Sequence, residues 1–233
     1  MPSPRSRPPA PAHTRFLQRR AELSALSLDD RFDCIFRTNL WGSDESRSGL
    51  GSALAATADL RRSLPAFLAR LGARSLLDVP CGDFGWLSTV PLDLDYTGAD
   101  IVGDLISQNE ARYGGPGTRR RFLRLDLTRD RLPAVDVVLC RDCLVHLSFG
   151  HVFAAFANLR RSSSTYLLTT TFVEHEGNED IEDGDWRVLN LTRPPFGLPA
   201  PLDLLVEGCQ EEGGAYADKA IGLWRIEDLP EPP

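Results

Sequence analysis

The sequence predicts an α/β fold: a doubly wound sheet of seven strands, mostly parallel with an antiparallel C-terminal strand, plus an N-terminal helical cap. Three observations carry that reading. From residue 75 onward, short apolar runs alternate with polar, helix-patterned stretches, as in a sheet buried on both faces. The alternation stops after residue 172, where a Gly/Pro/acid-rich segment, 174–201, replaces the next helix and two further strand-like runs follow. The length of 233 residues suits one domain of this class, with roughly 70–75% of the unfolded surface buried and no need for staples.

The elements follow in order. Residues 1–14, MPSPRSRPPAPAHT, hold five prolines and no apolar period, and are expected to be a disordered tail. Residues 15–233 are expected to form one domain, with a cap over 15–72 and a core over 73–233. Apolar positions across 15–39 read as helical. Residues 39–52 read as a polar Gly/Ser loop carrying Trp41. Leu60, Leu64, Phe67, Leu68 and Leu71 share one helix face, with Pro65 expected to kink that helix or start another. Strands are expected at 75–79, 96–100, 122–125, 135–140 and 166–170, with helices at 83–89, 103–113 and 148–161. Strands at 202–207 and 221–226 complete the sheet as an antiparallel pair.

Composition excludes several classes. No apolar run approaches the roughly 20 residues of a membrane helix. The Arg/Pro-rich start lacks the apolar core of a secretory signal. A net charge of -7 argues against a protein living on the phosphate backbone of nucleic acid. Five cysteines form no regular framework, which points to a reducing, cytoplasmic setting. The charge is unevenly spread: residues 1–20 hold five Arg and no acid, whereas 174–185 hold seven acids and no Lys or Arg. The single Lys219 stands against 25 Arg, read as compositional bias.

Chemistry concentrates at strand ends. The first strand runs into a Gly-containing turn, the arrangement by which a doubly wound sheet receives a nucleotide over its carboxyl edge. Asp78 ends that strand, Asp100 ends the second and Asp126 follows the third. An acid at the end of the second strand accepts ribose hydroxyls, and three acids in register make one polar ledge. His146, after the fourth strand, is a candidate general base, with a cap or core histidine as the alternative. Asp142 is the other candidate, with a helix N-cap as its alternative. Among the remaining features, Cys140 and Cys143 form a C-x-x-C, read as a buried structural pair ahead of a metal or redox site. His175 and the acids of 174–185 read as a solvated, mobile lid ahead of a cation site, and no metal is expected. Trp41 and Trp186, with Arg187 and Asn190, either line an acceptor pocket or cover the core. Asn190-Leu191-Thr192 matches a glycosylation sequon, without use in a cytoplasmic protein.

The motifs LLDVPCGDFGWL (76–87), YTGADIVGDLI (96–106), FLRLDLT (122–128) and DVVLCRDCLVHLS (136–148) resemble those of class I S-adenosylmethionine-dependent methyltransferases, which share a Rossmann-like fold. The flanking pieces WGSDESRSGLGS (41–52), STYLLTTTF (164–172), WRVLNLTRPPFGLPAPLDLL (186–205) and DKAIGLWRI (218–226) resemble a bacterial branch of that superfamily. The resemblance implies S-adenosylmethionine as cofactor. It places Asp78 and Gly82 under the methionine part, with Cys81 and Asp83 lining the turn. It puts Asp100 on the ribose, Ile101 against the adenine, Asp126 on the adenine amino group and Leu127 backbone near the ring. Arg141 and Asp142 would face the reaction centre. The turn departs from the family pattern: Pro80 and Phe84 stand where outer glycines usually stand. The implied activity is methyl transfer to an oxygen or nitrogen of a small-molecule or sugar-like acceptor. The alternatives are a non-catalytic cofactor-binding protein, or an adenosine-nucleotide or NAD enzyme on the same fold. For NAD the first glycine of G-x-G-x-x-G is missing. Oligomeric state is not legible.

Overall fold

A computed structural model describes residues 7–231. Seven strands form one sheet in the order β3-β2-β1-β4-β5-β7-β6. They are β1 Ser75–Asp78, β2 Asp95–Asp100, β3 Arg120–Arg124, β4 Val137–Cys140, β5 Tyr166–Phe172, β6 Asp203–Val206 and β7 Lys219–Arg225. β7 runs antiparallel to both β5 and β6, while β1 to β5 pair in parallel. The doubly wound, mostly parallel sheet expected from the sequence is present. Adjacent side chains face opposite layers: Leu76 and Leu139 pack with one core cluster, Leu77 and Val138 with the other. This is why the strands read as continuous apolar runs.

Among the described residues, five helices of ten residues or more surround the sheet: α1 Pro11–Leu23, α2 Leu28–Arg37, α3 Ala58–Arg70, α4 Gly103–Tyr113 and α5 Phe149–Arg161. The expected helix over 15–39 is two helices, because Ser27 begins a new one and its hydroxyl accepts from the Asp30 N–H at 3.2 Å. Pro65 does not start a second helix; α3 continues through it. α3 also leaves the expected cap. Its Leu60, Leu64, Phe67 and Leu68 are buried against β1, β4 and β7, so it is a sandwich helix and the cap is α1–α2 alone.

The helix expected at 83–89 is a turn followed by a single 3₁₀ turn, Leu87–Thr89. The Asp83 carboxylate accepts from the Gly85 N–H at 3.1 Å, and Phe84 adopts φ +55°. A left-handed residue ends a helix before it begins. Aromatic packing holds Phe84 there, with ring centroids 4.7 Å from Tyr96 and 5.3 Å from Phe122.

The expected tail boundary also moves. Residues 1–6 lie outside the described residues, but α1 begins at Pro11, and Arg7 makes two hydrogen bonds to Asp218 at 2.7 and 2.8 Å. The acidic segment is fastened as well, contrary to the mobile lid expected for it. Asp183 and Asp180 accept from the Ser148 and Phe149 N–H groups at 2.8 and 2.7 Å, capping α5 where the helix dipole favours an anion. Glu182 pairs with Arg20, Asp185 with His13 at 2.8 Å, and the Asp183 carbonyl accepts from Arg31 at 2.9 Å. Arg20 and His13, remote in sequence, thus meet the acidic block in space. No helix among the described residues is long and apolar enough to cross a membrane.

Candidate functional site

A cavity with about 1060 Å³ of empty space, the solvent at its mouth included, lies over the carboxyl ends of β1, β2 and β4. Register explains the convergence: Asp78 of β1 stands beside Gly98 of β2 and Leu139 of β4, and Asp100 stands beside Arg124 of β3. Asp78, Cys81, Gly82, Asp83, Asp100, Ile101, Asp126, Leu127, Arg141, Asp142, His146 and Trp41 all border this cavity. The sequence-predicted residues are therefore brought together, apart from Trp186 and Asn190.

The turn after β1 is built by side chains as much as by glycine. Gly82 has φ +53°, and a Cβ there would collide with Ser48. The Ser48 hydroxyl accepts from the Asp83 N–H at 3.2 Å, and the Gly82 carbonyl accepts from Asn109 at 2.7 Å. Asp83 is thus a builder of the turn. Phe84 supplies the left-handed conformation that a glycine usually supplies there.

The acids differ in state. Asp100 accepts from the Gly82 N–H at 3.1 Å on one oxygen and from the Val102 N–H at 2.9 Å on the other. Burial nonetheless pushes its carboxyl up to about 6. Asp78 accepts from the Tyr96 hydroxyl at 2.7 Å, and burial pushes it up to about 7. Asp126 is already engaged, by the Thr128 N–H at 2.8 Å, the Thr128 hydroxyl at 2.6 Å and Arg129 at 3.0 Å. Its geometry is that of a turn cap. The Leu127 carbonyl accepts from Asn158 at 2.8 Å, while the Leu127 N–H makes no hydrogen bond among the described residues.

These features fit an adenosine-bearing cofactor. Asp100 keeps a free lone pair on each oxygen for a ribose hydroxyl. The orphaned Leu127 N–H is a donor that a ring nitrogen satisfies. Ile101, Val102, Leu105 and Leu127 give apolar walls between them.

Past β4 the character changes. Arg141 is buried and committed to Glu207 at 2.6 Å, to the Gly51 carbonyl at 2.8 Å and to the face of Trp86 at 5.5 Å. Asp142 has φ +51°, donates its N–H to Thr170 at 2.8 Å, and accepts from Lys219 at 2.7 Å. Burial opposes its charge, yet Lys219 and Arg141 hold the carboxyl well below the usual range. Both of its oxygens are occupied, one by Lys219 and Arg141 and the other by the Thr170 hydroxyl at 3.3 Å, which removes Asp142 from the role of proton acceptor.

His146 is the opposite case. Its Nδ1 lies 2.7 Å from the Asp185 carbonyl, which only accepts, so Nδ1 carries the proton and Nε2 keeps its lone pair. Burial pushes this imidazole down to about 4, leaving it neutral at pH 7. Nε2 makes no hydrogen bond among the described residues. The ring stacks on Trp41, with centroids 4.5 Å apart and planes at 29°. The Trp41 indole N–H is buried without a partner among the described residues.

A second hollow, about 630 Å³ of empty space, adjoins the first and shares Trp41, Ser48, Asp142 and His146 with it. Trp186 borders this hollow, not the first. Asn190 borders neither. It is buried, donates to the His175 carbonyl at 2.7 Å and receives the Thr192 hydroxyl at 2.8 Å, so it fastens a loop. Arg187 likewise donates to the Leu144 and Leu147 carbonyls, both at 2.7 Å.

Sequence reasoning missed Ser48, Glu207, Glu211, Tyr216 and, above all, Lys219. Its uniqueness among 25 Arg was the available signal. At this position a compact ammonium bridges Asp142 at 2.7 Å and Glu207 at 3.6 Å, which a planar guanidinium does not replace. Cys140 and Cys143 are free thiols, and no group of three or more His, Cys, Asp or Glu among the described residues could hold a metal ion.

No protein-family model and no curated protein matches the chain. Solved structures do. A Burkholderia thailandensis 1,6-didemethyltoxoflavin-N1-methyltransferase, bound to its substrate and S-adenosylhomocysteine, is 18% identical with a TM-score of 0.58, each chain being 89% covered. The magnesium protoporphyrin IX methyltransferase of Synechocystis, with S-adenosylmethionine bound, is 16% identical over 70% of this chain and 83% of that one, TM-score 0.46. An S-adenosylmethionine-dependent methyltransferase from Clostridium acetobutylicum is 12% identical over 54% and 56%, TM-score 0.43. Against several matched structures the chain spans less than two thirds of their length, as with the 56% of the Clostridium protein. The fold is that of the Rossmann-like S-adenosylmethionine-dependent methyltransferases.

Proposed function

We propose that the protein transfers a methyl group from S-adenosylmethionine to an oxygen or nitrogen of a small-molecule acceptor. One observation carries this reading: the buried Asp100 carboxylate at the end of β2, with one backbone N–H on each oxygen, in a cavity it shares with the orphaned Leu127 N–H. Bound there, the cofactor supplies a methyl on a positively charged sulfur, which takes back the bonding pair as the methyl leaves. The chain's own residues do the rest. Asp100 and the Leu127 backbone hold the nucleoside end, and Gly82 keeps the turn close. Trp41 and His146 separate the cofactor cavity from the second hollow, so an acceptor there meets the donor at their border. His146 Nε2 takes the acceptor's proton, and the Asp185 carbonyl fixes the tautomer that makes this possible. Positioning is the larger part of the task, because the reaction is an in-line displacement needing reacting atoms at roughly 3–3.5 Å.

The test is calorimetry with S-adenosylmethionine and S-adenosylhomocysteine, followed by incubation with a metabolite extract read by the mass shift of one methyl. Binding of both with turnover is expected. Absence of binding by either sinks the proposal, and binding without any methylated product turns it into a non-catalytic cofactor-binding protein.

A further inference from the structure

We infer that the second hollow is the acceptor chamber and takes a flat aromatic or heteroaromatic ring bearing N–H or O–H donors, not a sugar or an open-chain amine. This rests on the methyl-transfer reading above. The walls are the first ground. Phe172, Trp186 and Tyr216 form an edge-to-face triad, with centroids 6.1 Å apart for Phe172–Trp186, 5.2 Å for Trp186–Tyr216 and 6.1 Å for Phe172–Tyr216. The stacked Trp41–His146 pair adds two more rings. All five residues border the hollow. A lining this rich in aromatic rings favours an occupant with a π-face.

The polar inventory is the second ground. A sugar needs a partner for each hydroxyl, and each buried hydroxyl left unpaired opposes binding. Here most polar side chains are already spent. Asp142 is taken by Lys219, Arg141 and Thr170, and Lys219 by Asp142 and Glu207. The Tyr216 hydroxyl donates to the Pro8 carbonyl at 2.6 Å, and Ser48 accepts from Asp83. Three lining groups make no hydrogen bond among the described residues: His146 Nε2, the Glu211 carboxylate, which is half-buried near Lys219, and the Trp41 indole N–H. The first two accept hydrogen bonds, and the third donates one, which a carbonyl or ring nitrogen of the same ring satisfies. A ring with two donor edges satisfies both acceptors, giving one N–H or O–H to Glu211. The ring atom that gains the methyl loses its proton to His146 Nε2.

The experiment measures binding of lumazine, 7-hydroxyquinoline, 1,3-dimethyllumazine and glucose by saturation-transfer NMR and calorimetry, with and without S-adenosylhomocysteine. Wild type, Glu211→Gln and Trp186→Ala proteins are compared. At least one donor-bearing ring is expected to bind. 1,3-Dimethyllumazine, stripped of both ring N–H groups, is expected to bind at least tenfold more weakly than lumazine, and glucose not to saturate. Glu211→Gln is expected to weaken donor-bearing rings about tenfold without changing 1,3-dimethyllumazine, and Trp186→Ala to weaken every ring, with S-adenosylhomocysteine affinity unchanged in both. Glucose binding as well as the rings, or equal binding of the methylated and unmethylated rings, overturns the inference. Cofactor binding without ring binding overturns it alone. Ring binding without cofactor binding overturns the methyl-transfer reading and leaves a ring-binding chamber.

Discussion

The cofactor ledge and the acceptor chamber meet at Trp41 and His146, yet they are built in opposite ways. Asp78, Gly82, Asp100 and Leu127 come from three successive strand ends, each placed by the strand that precedes it. The chamber draws on Ala10, Trp41, Phe172, Trp186, Glu211, Tyr216 and Lys219, gathered from both ends of the chain. Backbone topology makes the first, so its residues are fixed once the sheet forms. Long-range side-chain pairing makes the second: Arg7 bonds Asp218 while lying over Phe172 and Tyr216, 5.7 and 5.8 Å from their centroids. The difference predicts that ledge substitutions act on cofactor affinity alone and chamber substitutions on acceptor KM or kcat alone.

The largest expected effect tests the border between the two. His146→Ala should lower kcat by roughly 10²–10⁴-fold, the range of a lost general base, with S-adenosylhomocysteine affinity unchanged. Because burial keeps this imidazole down at about 4, kcat in the wild type should be insensitive to His146 until the pH falls toward that value. A kcat that instead drops across pH 6–7 in step with His146 protonation, followed by NMR, assigns the ring a higher value and breaks the argument.

Next comes the ledge. Asp100→Ala should weaken S-adenosylhomocysteine roughly 100-fold, as expected for two hydrogen bonds to a charged group, with circular dichroism unchanged. Its pH dependence has a definite sign. Ribose hydroxyls bond the ionised carboxylate, so affinity should fall as the pH drops through about 6. Folding runs the other way. The folded value lies above the unfolded value near 4, so this group's contribution to stability is fully present below about 4 and lost as the pH rises through about 6. Affinity and stability moving in the same direction across that window would falsify the assignment of Asp100.

The same contrast explains what the sequence could disclose. Strands β1 to β5 and helices α4 and α5 were legible to within a few residues, because burial on two faces writes itself as apolar runs and burial on one as a 3.6 period. The ledge acids were legible for the same reason, as ends of those runs. The turn was not, since nothing in DFGW announces that aromatic packing will hold Phe84 left-handed. Nor was the chamber. The acids of 174–185 read as a solvated run because their partners, Arg20, His13 and the N-terminus of α5, lie far away in sequence. Lys219 read as composition because Glu207 and Asp142 reach it only through the sheet.

A smaller effect belongs to Arg7, which borders neither hollow but lies over two of the chamber's rings. Arg7→Ala should raise acceptor KM roughly tenfold, equivalent to the ~1.5 kcal/mol of one hydrogen bond to a charged group, with cofactor affinity constant. Arg7 and Asp218 are largely shielded from solvent, so salt should change this difference little. A KM difference that vanishes in 0.5 M salt would show the pair to be mere surface charge.

The smallest expected effect is the most informative about the acidic block. Glu182 pairs with Arg20 and accepts from the Ser24 hydroxyl at 2.5 Å, on the outer surface of the cap. Exposed pairs of this kind contribute little, and the pair borders neither hollow. Glu182→Gln should therefore leave acceptor KM and Tm within error. Asp183→Asn, in the same block, removes the carboxylate that caps α5 and pairs with His151, and should lower Tm measurably while sparing KM. If both substitutions instead raised KM by similar factors with Tm constant, the acids would be acting through their field on the acceptor's approach. The block would then belong functionally to the chamber, and the line drawn between a locally built ledge and a tertiary chamber would have to include a third, electrostatic region.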